Sequence, residues 1–299
     1  TNYIGGNFTV IPCKSLPQGK NKVGAFIPVA RITDMLLHPG EKFKFNGGDY
    51  HYPNIKLMYW AGGNPFHHHQ DINRLLQGWK NLDTIITNEW CWNALAKYSD
   101  IVLPCTIPLE REDIAMTPRD PFLISMDKVL TPYKDSLDDY EIFSRVAEKM
   151  GIKSEFTNNK SSNEWKKWLY DETRKAASSS GIEMPSYEVF KSKGWFKVKP
   201  PNEPVIMMEK FRNDPENYPL KTPSGKIEIF SKTIAEFKYD DCPGHPIWLG
   251  PREWLGSKNQ QFPIHLISNQ PKTKLHSQLD HGSHSRLYKI KGREPVRIN

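Results

Sequence analysis

Apolar residues recur along the first half of the chain in two alternating rhythms. Ile55 to Trp60 is a short, mostly apolar run that reads as a buried strand, and it breaks off in the turn cluster Ala61-Gly62-Gly63-Asn64-Pro65. Ile72, Leu75, Leu76 and Trp79 then fall at i, i+3, i+4 and i+7, one stripe of an amphipathic helix. Asp83 to Thr87 predicts a second strand, closed by Asn88-Glu89. A short helix is expected over 92–98, and a third strand over 100–104, stopped by Pro104. Strands alternating with helices predict a parallel sheet with right-handed crossovers. Another helix is expected from about 139 to 150, with Tyr140, Phe143, Ala147 and Met150 on one face. Ser136 resembles the start of its capping box, and Gly151 its stop.

Beyond residue 153 the pattern changes. The chain becomes polar and broken by proline and glycine, with one helix expected over 163–177. A strand is expected over 226–230, after the turn Thr222-Pro223-Ser224-Gly225. From 261 onward the pattern is β-like, with 263–267 and 294–299 reading as strands. The fold class expected is α/β: a parallel-sheet cofactor-binding domain over 1–152, an irregular α+β connecting region over 153–258, and a β-rich third region over 259–299. That last region is too short to close a core of its own, and residue 1 is Thr, so the chain reads as an internal-to-C-terminal fragment of a longer polypeptide.

Composition narrows the function classes. The 299 residues carry 9 Trp, 12 Tyr and 14 Phe, far too many aromatics for wholesale disorder. No stretch approaches the ~20 apolar residues that span a bilayer, so no membrane insertion is expected. The net charge is +7, but the basic residues are scattered rather than gathered in the dense stripe of a nucleic-acid binder, so no nucleic-acid partner is expected. The four cysteines (Cys13, Cys91, Cys105, Cys242) are widely spaced and form neither a disulfide scaffold nor a zinc ribbon.

Candidate chemistry gathers at strand ends. Gly62-Gly63-Asn64 lies between a strand and a helix, where glycine lets backbone approach a ligand and helix amides favour an anion; an ordinary tight turn would look the same. Glu89 ends the next strand, where a carboxylate can accept ribose hydroxyls or nucleobase N–H groups, or merely be solvated. His67-His68-His69 cannot share one ion, since consecutive helical positions point about 100° apart; one of them could donate to a ligand phosphate. Arg111, in Glu110-Arg111-Glu112-Asp113, could bind a pyrophosphate bidentately or belong to a surface ion-pair cluster. Asp139 suits the N1–H and N2–H edge of guanine, or a helix cap. Gln270, His276, Ser277 and Gln278 form a polar cluster near the C-terminus. Neither a Walker motif nor Gly-x-Gly-x-x-Gly is present, which argues against a nicotinamide-dependent dehydrogenase.

The run Tyr59-Trp60-Ala61-Gly62-Gly63-Asn64-Pro65-Phe66-His67-His68-His69-Gln70-Asp71-Ile72-Asn73-Arg74-Leu75 resembles the molybdopterin oxidoreductases, in the branch of trimethylamine N-oxide, dimethyl sulfoxide and biotin sulfoxide reductases. Ser99–Pro104, Glu110-Arg111, Thr222–Ile229, Cys242–Pro246 and Leu275–Leu279 agree in the same order. The resemblance implies a periplasmic enzyme, with a cytoplasmic one as the alternative, carrying molybdenum on two molybdopterin guanine dinucleotides. It would reduce a small N-oxide or S-oxide, trimethylamine N-oxide first, with electrons from a c-type cytochrome or another donor. Gly62, Gly63, Asn64, His68, Glu89, Arg111 and Asp139 match positions contacting the dinucleotide. Gln270, His276, Ser277 and Gln278 match the part of a C-terminal β-barrel domain that nears the pterins, which makes 259–299 the truncated start of that barrel. The resemblance places a metal-ligating serine upstream of Thr1 and no metal ligand or catalytic residue within the chain. Thr117-Pro118-Arg119-Asp120-Pro121-Phe122 departs from the branch, which has Gly-Asp-Tyr-Ser-Asn there. A cofactor-binding module without catalysis of its own is the alternative of another class.

Overall fold

A computed structural model describes residues 5–6, 11–20, 22–23, 26–116, 121–199, 205–251, 254–257, 262, 264–275 and 279–298. In chain order the elements are β1 (Gly5–Gly6), α1 (Ile32–Leu37), β2 (Lys42–Phe45), β3 (Gly48–His51), β4 (Leu57–Ala61), α2 (Pro65–His68), α3 (Ile72–Trp79), β5 (Thr84–Glu89), α4 (Ala94–Lys97) and β6 (Ile101–Pro104). They continue with β7 (Asp113–Ala115), β8 (Phe122–Met126), α5 (Asp139–Lys149), α6 (Lys153–Thr157), α7 (Ser162–Ser178), α8 (Tyr187–Lys193), β9 (Trp195–Lys197), β10 (Val205–Ile206), α9 (Glu209–Asn213) and α10 (Lys232–Glu236). The chain divides into two interleaved units, 1–26 with 59–62 and 85–226, and 27–58 with 63–84 and 227–299.

The strand–helix alternation of the first half is present. β4, β5 and β6 form one sheet in that order, and β5 runs parallel to β6 with Glu89 opposite Pro104. β4 advances in step with β5, since Lys56 O accepts from the Asp83 and Thr84 amides while Trp60 O accepts from Thr87 Oγ1. A parallel strand needs such a partner for every backbone group, and the β-branched run Thr84-Ile85-Ile86-Thr87 suits it.

In the first unit, the antiparallel sheet β7-β8-β9 turns Leu123 inward to a core of Ile11, Tyr170, Ala177, Ile182, Met184, Phe190 and Val198. The Tyr170 and Phe190 rings stack at 4.7 Å, both fully buried. α7 is capped as its sequence promises: Ser161 Oγ accepts from the Glu164 amide, and Glu164 returns the bond to the Ser161 amide. In the second unit, α1 packs on α3. Gly78 allows the approach, because a Cβ there would stand 2.9 Å from Leu36 Cβ. The β2-β3 hairpin stacks Phe43 on Tyr52, ring centroids 4.5 Å apart.

Four expectations are corrected. Residues 226–230 are not a strand; Ile227 and Ile229 are exposed, and among the described residues no segment offers them a ladder. The described parts of 263–267 and 294–299 are also irregular, and the described residues from 264 onward show no strand, only the isolated bridge Ile290–Arg293 and the 3-10 turn His284–Arg286. Alternating hydrophobicity makes a strand only where a second strand takes its backbone bonds. The cap of α5 is Asp138 rather than Ser136, with Asp138 Oδ1 accepting from the Glu141 amide at 2.9 Å. Met150 lies past the last helical residue and is exposed, while Ile142 and Ser144 are buried with Ala147.

Two substitutions test this packing. Phe190→Ala should cost about 3–5 kcal/mol of stability, read as a fall in the denaturant midpoint at unchanged slope. Gly78→Ala should destabilise by about 1–3 kcal/mol through overpacking against Leu36. That outweighs the gain of up to about 1 kcal/mol in helix propensity, so a stabilised variant would show that α1 and α3 do not meet this closely.

Candidate functional site

The carboxyl ends of β5 and β6 carry the chemistry, and the sequence puts it there by ending each strand in polar residues. Asn88 is nearly fully buried next to Glu89. Its Oδ1 accepts from the Tyr59 hydroxyl at 2.9 Å, and its Nδ2 donates to Asp139 Oδ1 at 2.8 Å. One amide thus ties the middle of β4, the end of β5 and the first residue of α5. Asp139 is delivered by the backbone: Leu137 bridges Cys105 in parallel, its amide donating to Pro104 O while its carbonyl accepts from the Thr106 amide. Because Asp138 does the capping, the Asp139 carboxylate is left for Asn88 and for whatever lies beyond it.

Around this link sit the charges. Glu89 is half-buried, and loss of water raises its carboxyl above the ordinary range, against hydrogen bonds from Asn93 and the Trp90 amide. Burial also lifts the Cys105 thiol, helped by the nearby Asp139 and Glu89 charges and opposed by Arg111, to about 11. Cys105 therefore reports that Glu89, Arg111 and Asp139 share one neighbourhood, and it stays a protonated, unreactive thiol at neutral pH. Arg111 donates from a terminal nitrogen to Thr106 O at 3.0 Å and pairs through Nε with Asp113 at 3.5 Å. Thr106 Oγ1 is buried without a hydrogen-bond partner. Glu110 accepts from the Ile107 and Tyr133 amides, so it braces the loop beneath Arg111.

Gly62, at the exit of β4, belongs to the same unit as Glu89, Arg111 and Asp139. Gly62 and Gly63 have φ of +77° and +73°, a region L side chains rarely enter, and a Cβ on Gly62 would meet nothing within 4 Å. This is bare backbone facing open space. Asn64 and His68 belong to the second unit. Asn64 is buried and caps α2, its Oδ1 accepting from the Phe66 amide at 3.0 Å. His68 is exposed, 5.2 Å ring to ring from His69, whose imidazole burial holds below the ordinary histidine range. Gln270, also in the second unit, donates its side-chain amide to Lys274 O. His276, Ser277 and Gln278 lie outside the described residues.

Sequence reasoning missed Asn88, Tyr59 and Thr106. Asn88 carries a visible signal: an uncharged amide at the end of a β-branched strand is costly to bury unless both its donor and acceptor are met. The chemical capacity of the first-unit cluster is plain. It offers one guanidinium for an anion, two carboxylates for N–H or hydroxyl donors, and an open glycine turn.

Residues 1–149 match the family model described as molybdopterin oxidoreductase. The chain is 44% identical to the dimethyl sulfoxide/trimethylamine N-oxide reductase of Cereibacter sphaeroides over 91% of this chain and 34% of that protein. It is 40% identical to the biotin sulfoxide reductase of the same organism, over 99% of this chain and 40% of that one. It is also 40% identical to the trimethylamine-N-oxide reductase of Haemophilus influenzae, over 91% and 34%. The chain thus spans between a third and two fifths of the length of these relatives. Acetylene hydratase from Pelobacter acetylenicus is 22% identical, with a TM-score of 0.46 over 68% of this chain and 25% of that one.

The buried carboxyl of Glu89 makes a pH prediction. A raised acid binds a proton more tightly folded than unfolded, so its contribution is complete below the unfolded value near 4.3 and is lost as pH rises through the folded value. Glu89→Gln should therefore flatten the decline in stability through and just above the carboxylate range. Parallel pH profiles for the two proteins in denaturant melts would show that Glu89 ionises freely.

Proposed function

Since the chain belongs to the molybdopterin oxidoreductase family, we propose that it forms part of a molybdenum oxygen-atom-transfer reductase acting on a small N-oxide or S-oxide, trimethylamine N-oxide first. The observation that carries this is the Tyr59–Asn88–Asp139 chain beside Glu89 and Arg111, at the carboxyl ends of parallel strands, where open α/β sheets bind their ligands. The second choice within the family is dimethyl sulfoxide or biotin sulfoxide, after the names of the relatives.

The residues present fit a molybdopterin guanine dinucleotide, the cofactor form we propose. Gly62 presents backbone to open space. Arg111 supplies the planar cation that suits a pyrophosphate, and Thr106 a buried hydroxyl still lacking a partner. Asp139, held by Asn88, suits the paired N–H donors of guanine, and Glu89 the ribose hydroxyls. Asn64, His68 and Gln270, with His276, Ser277 and Gln278, are assigned to cofactor contacts by resemblance alone. The metal and its dithiolenes supply the redox chemistry when bound. This chain's part is to grip the nucleotide end, orient it and keep water from the charged groups. The serine metal ligand, electron delivery by a c-type cytochrome or another donor, a periplasmic location, the β-barrel identity of 259–299 and the domain limits at 152 and 258 belong to the same proposal. Among the described residues no helix is long and apolar enough to cross a membrane.

Asp139→Ala in the complete enzyme tests this reading. Losing a carboxylate that accepts two N–H bonds should cost about 1.5–3 kcal/mol of binding, a fall of about 10- to 100-fold in dinucleotide affinity. Bound guanine nucleotide and molybdenum, assayed by release and metal analysis, should fall together. Full loading of both would leave Asp139 as a purely structural residue.

A further inference from the structure

Arg111 stands in a run of acids, and each carboxylate beside it has another partner. Glu110 accepts from the Ile107 and Tyr133 amides at 3.0 and 3.1 Å. Asp113 accepts from the Ile114 amide through Oδ1 at 2.9 Å, and its Oδ2 stands 3.5 Å from Arg111 Nε. Glu112 is drawn to two ammonium groups. Lys191 Nζ donates to its Oε2 at 3.0 Å, while Lys166 Nζ donates to its main-chain carbonyl at 3.2 Å and lies 3.5 Å from Oε2.

The backbone at Arg111 is extended, with φ −139° and ψ 162°. Successive side chains of an extended segment point to opposite faces. Holding Glu112 against α7 and α8 therefore holds Arg111 on the other face, where it donates to Thr106 O and acts on the Cys105 thiol. The carbonyl that Lys166 grips belongs to the peptide leading into Asp113, whose carboxylate meets Arg111 Nε. Lys166 thus bears on both the face and the neighbour of the guanidinium.

Both lysines are mounted on the core of the first unit. Lys166 lies one turn before Tyr170 on the same face of α7, and its side chain is 12% exposed. Lys191 follows Phe190 on α8. Tyr170 and Phe190 are fully buried. The Lys191 hydrogen bond, ahead of the Lys166 charge, holds the Glu112 carboxyl below the ordinary carboxylate range against partial loss of water. Partly exposed ion pairs of this kind add little to stability, so what they contribute is direction.

Resting on the reading of Arg111 as a pyrophosphate ligand, we propose that Lys166 and Lys191 are positioning residues for it. Through Glu112 they keep its guanidinium turned toward the diphosphate of the bound nucleotide and keep that carboxylate away from it.

The test compares the binding of guanosine diphosphate and of guanosine to the complete polypeptide prepared without cofactor, by titration calorimetry. Guanosine reads the base and ribose contacts, and the ratio of the two affinities reads the grip on phosphate. Arg111→Ala should lower that ratio by about 10- to 100-fold, as expected for hydrogen bonds to a charged group. Lys166→Met should lower it by about 3- to 10-fold, the scale of coupling between contacting residues, with guanosine affinity unchanged. Lys166→Arg should restore it. Lys191→Gln, at a more exposed position, should lower it in the same sense and keeps the test decisive if Lys166→Met does not fold. With Arg111→Ala already in place, Lys166→Met should change the ratio no further. A ratio unmoved by the lysine variants, a loss shared equally by both ligands, or effects that simply add to Arg111→Ala would overturn the proposal and leave Arg111 its role. A ratio that Arg111→Ala does not move would overturn the proposal together with the reading of Arg111.

Discussion

A buried amide with two obligations governs the nucleotide end of this molecule. Asn88 must both accept and donate, since an unmet polar group in the interior costs about 1–3 kcal/mol. Its two partners come from different parts of the chain, Tyr59 from β4 and Asp139 from α5. The amide therefore selects one arrangement of the sheet edge. Slip β5 by one residue and the Asn88 side chain changes face, leaving three polar groups unmet. The parallel bridge of Cys105 to Leu137 serves the same end from the backbone side, because it fixes where α5 begins.

That arrangement creates an electrostatic asymmetry that a surface cluster would not have. Glu89 is raised by burial, while Arg111 stands close enough to oppose the carboxylates felt by Cys105. Partial burial strengthens the action of charges a few ångströms apart relative to open water, and here Glu89 and Arg111 are half-buried while Asp139 is exposed. A ligand carrying both an anion and N–H donors answers both signs at once. A simple anion would answer only Arg111.

The two units also differ in how they hold themselves together. The first has a closed core built on stacked aromatics, with Tyr170 and Phe190 fully buried. In the second, the long stretch after 227 exposes Trp248, Ile264, Leu266, Ile267 and Val296 by 74–86%. Besides the capped helix α10, it holds an ion-pair group: Lys274 and Lys289, with side chains 9–10% exposed, both pair with Asp280 and Glu294. Isolated exposed ion pairs add little to stability, but here two buried ammonium groups share two half-exposed carboxylates, and such a network fixes geometry better than a single pair.

The sequence alone determined the helices α3, α4 and α5 and the strands β4, β5 and β6, because periods of two and of about 3.6 are written in the side chains and each helix satisfies its own backbone, while α1, α2 and the β2-β3 hairpin carried no such signal. It also marked Glu89, Arg111 and Asp139 as chemistry-bearing, and carried the family in the run from Tyr59 to Leu75. Tertiary structure alone decided which of two adjacent aspartates caps α5 and which faces Asn88, a choice set by a bridge between residues 105 and 137. It alone decided that 226–230 and the described part of 263–267 are not strands, since a strand exists only when a distant segment takes its hydrogen bonds, and no local pattern records whether that segment arrives.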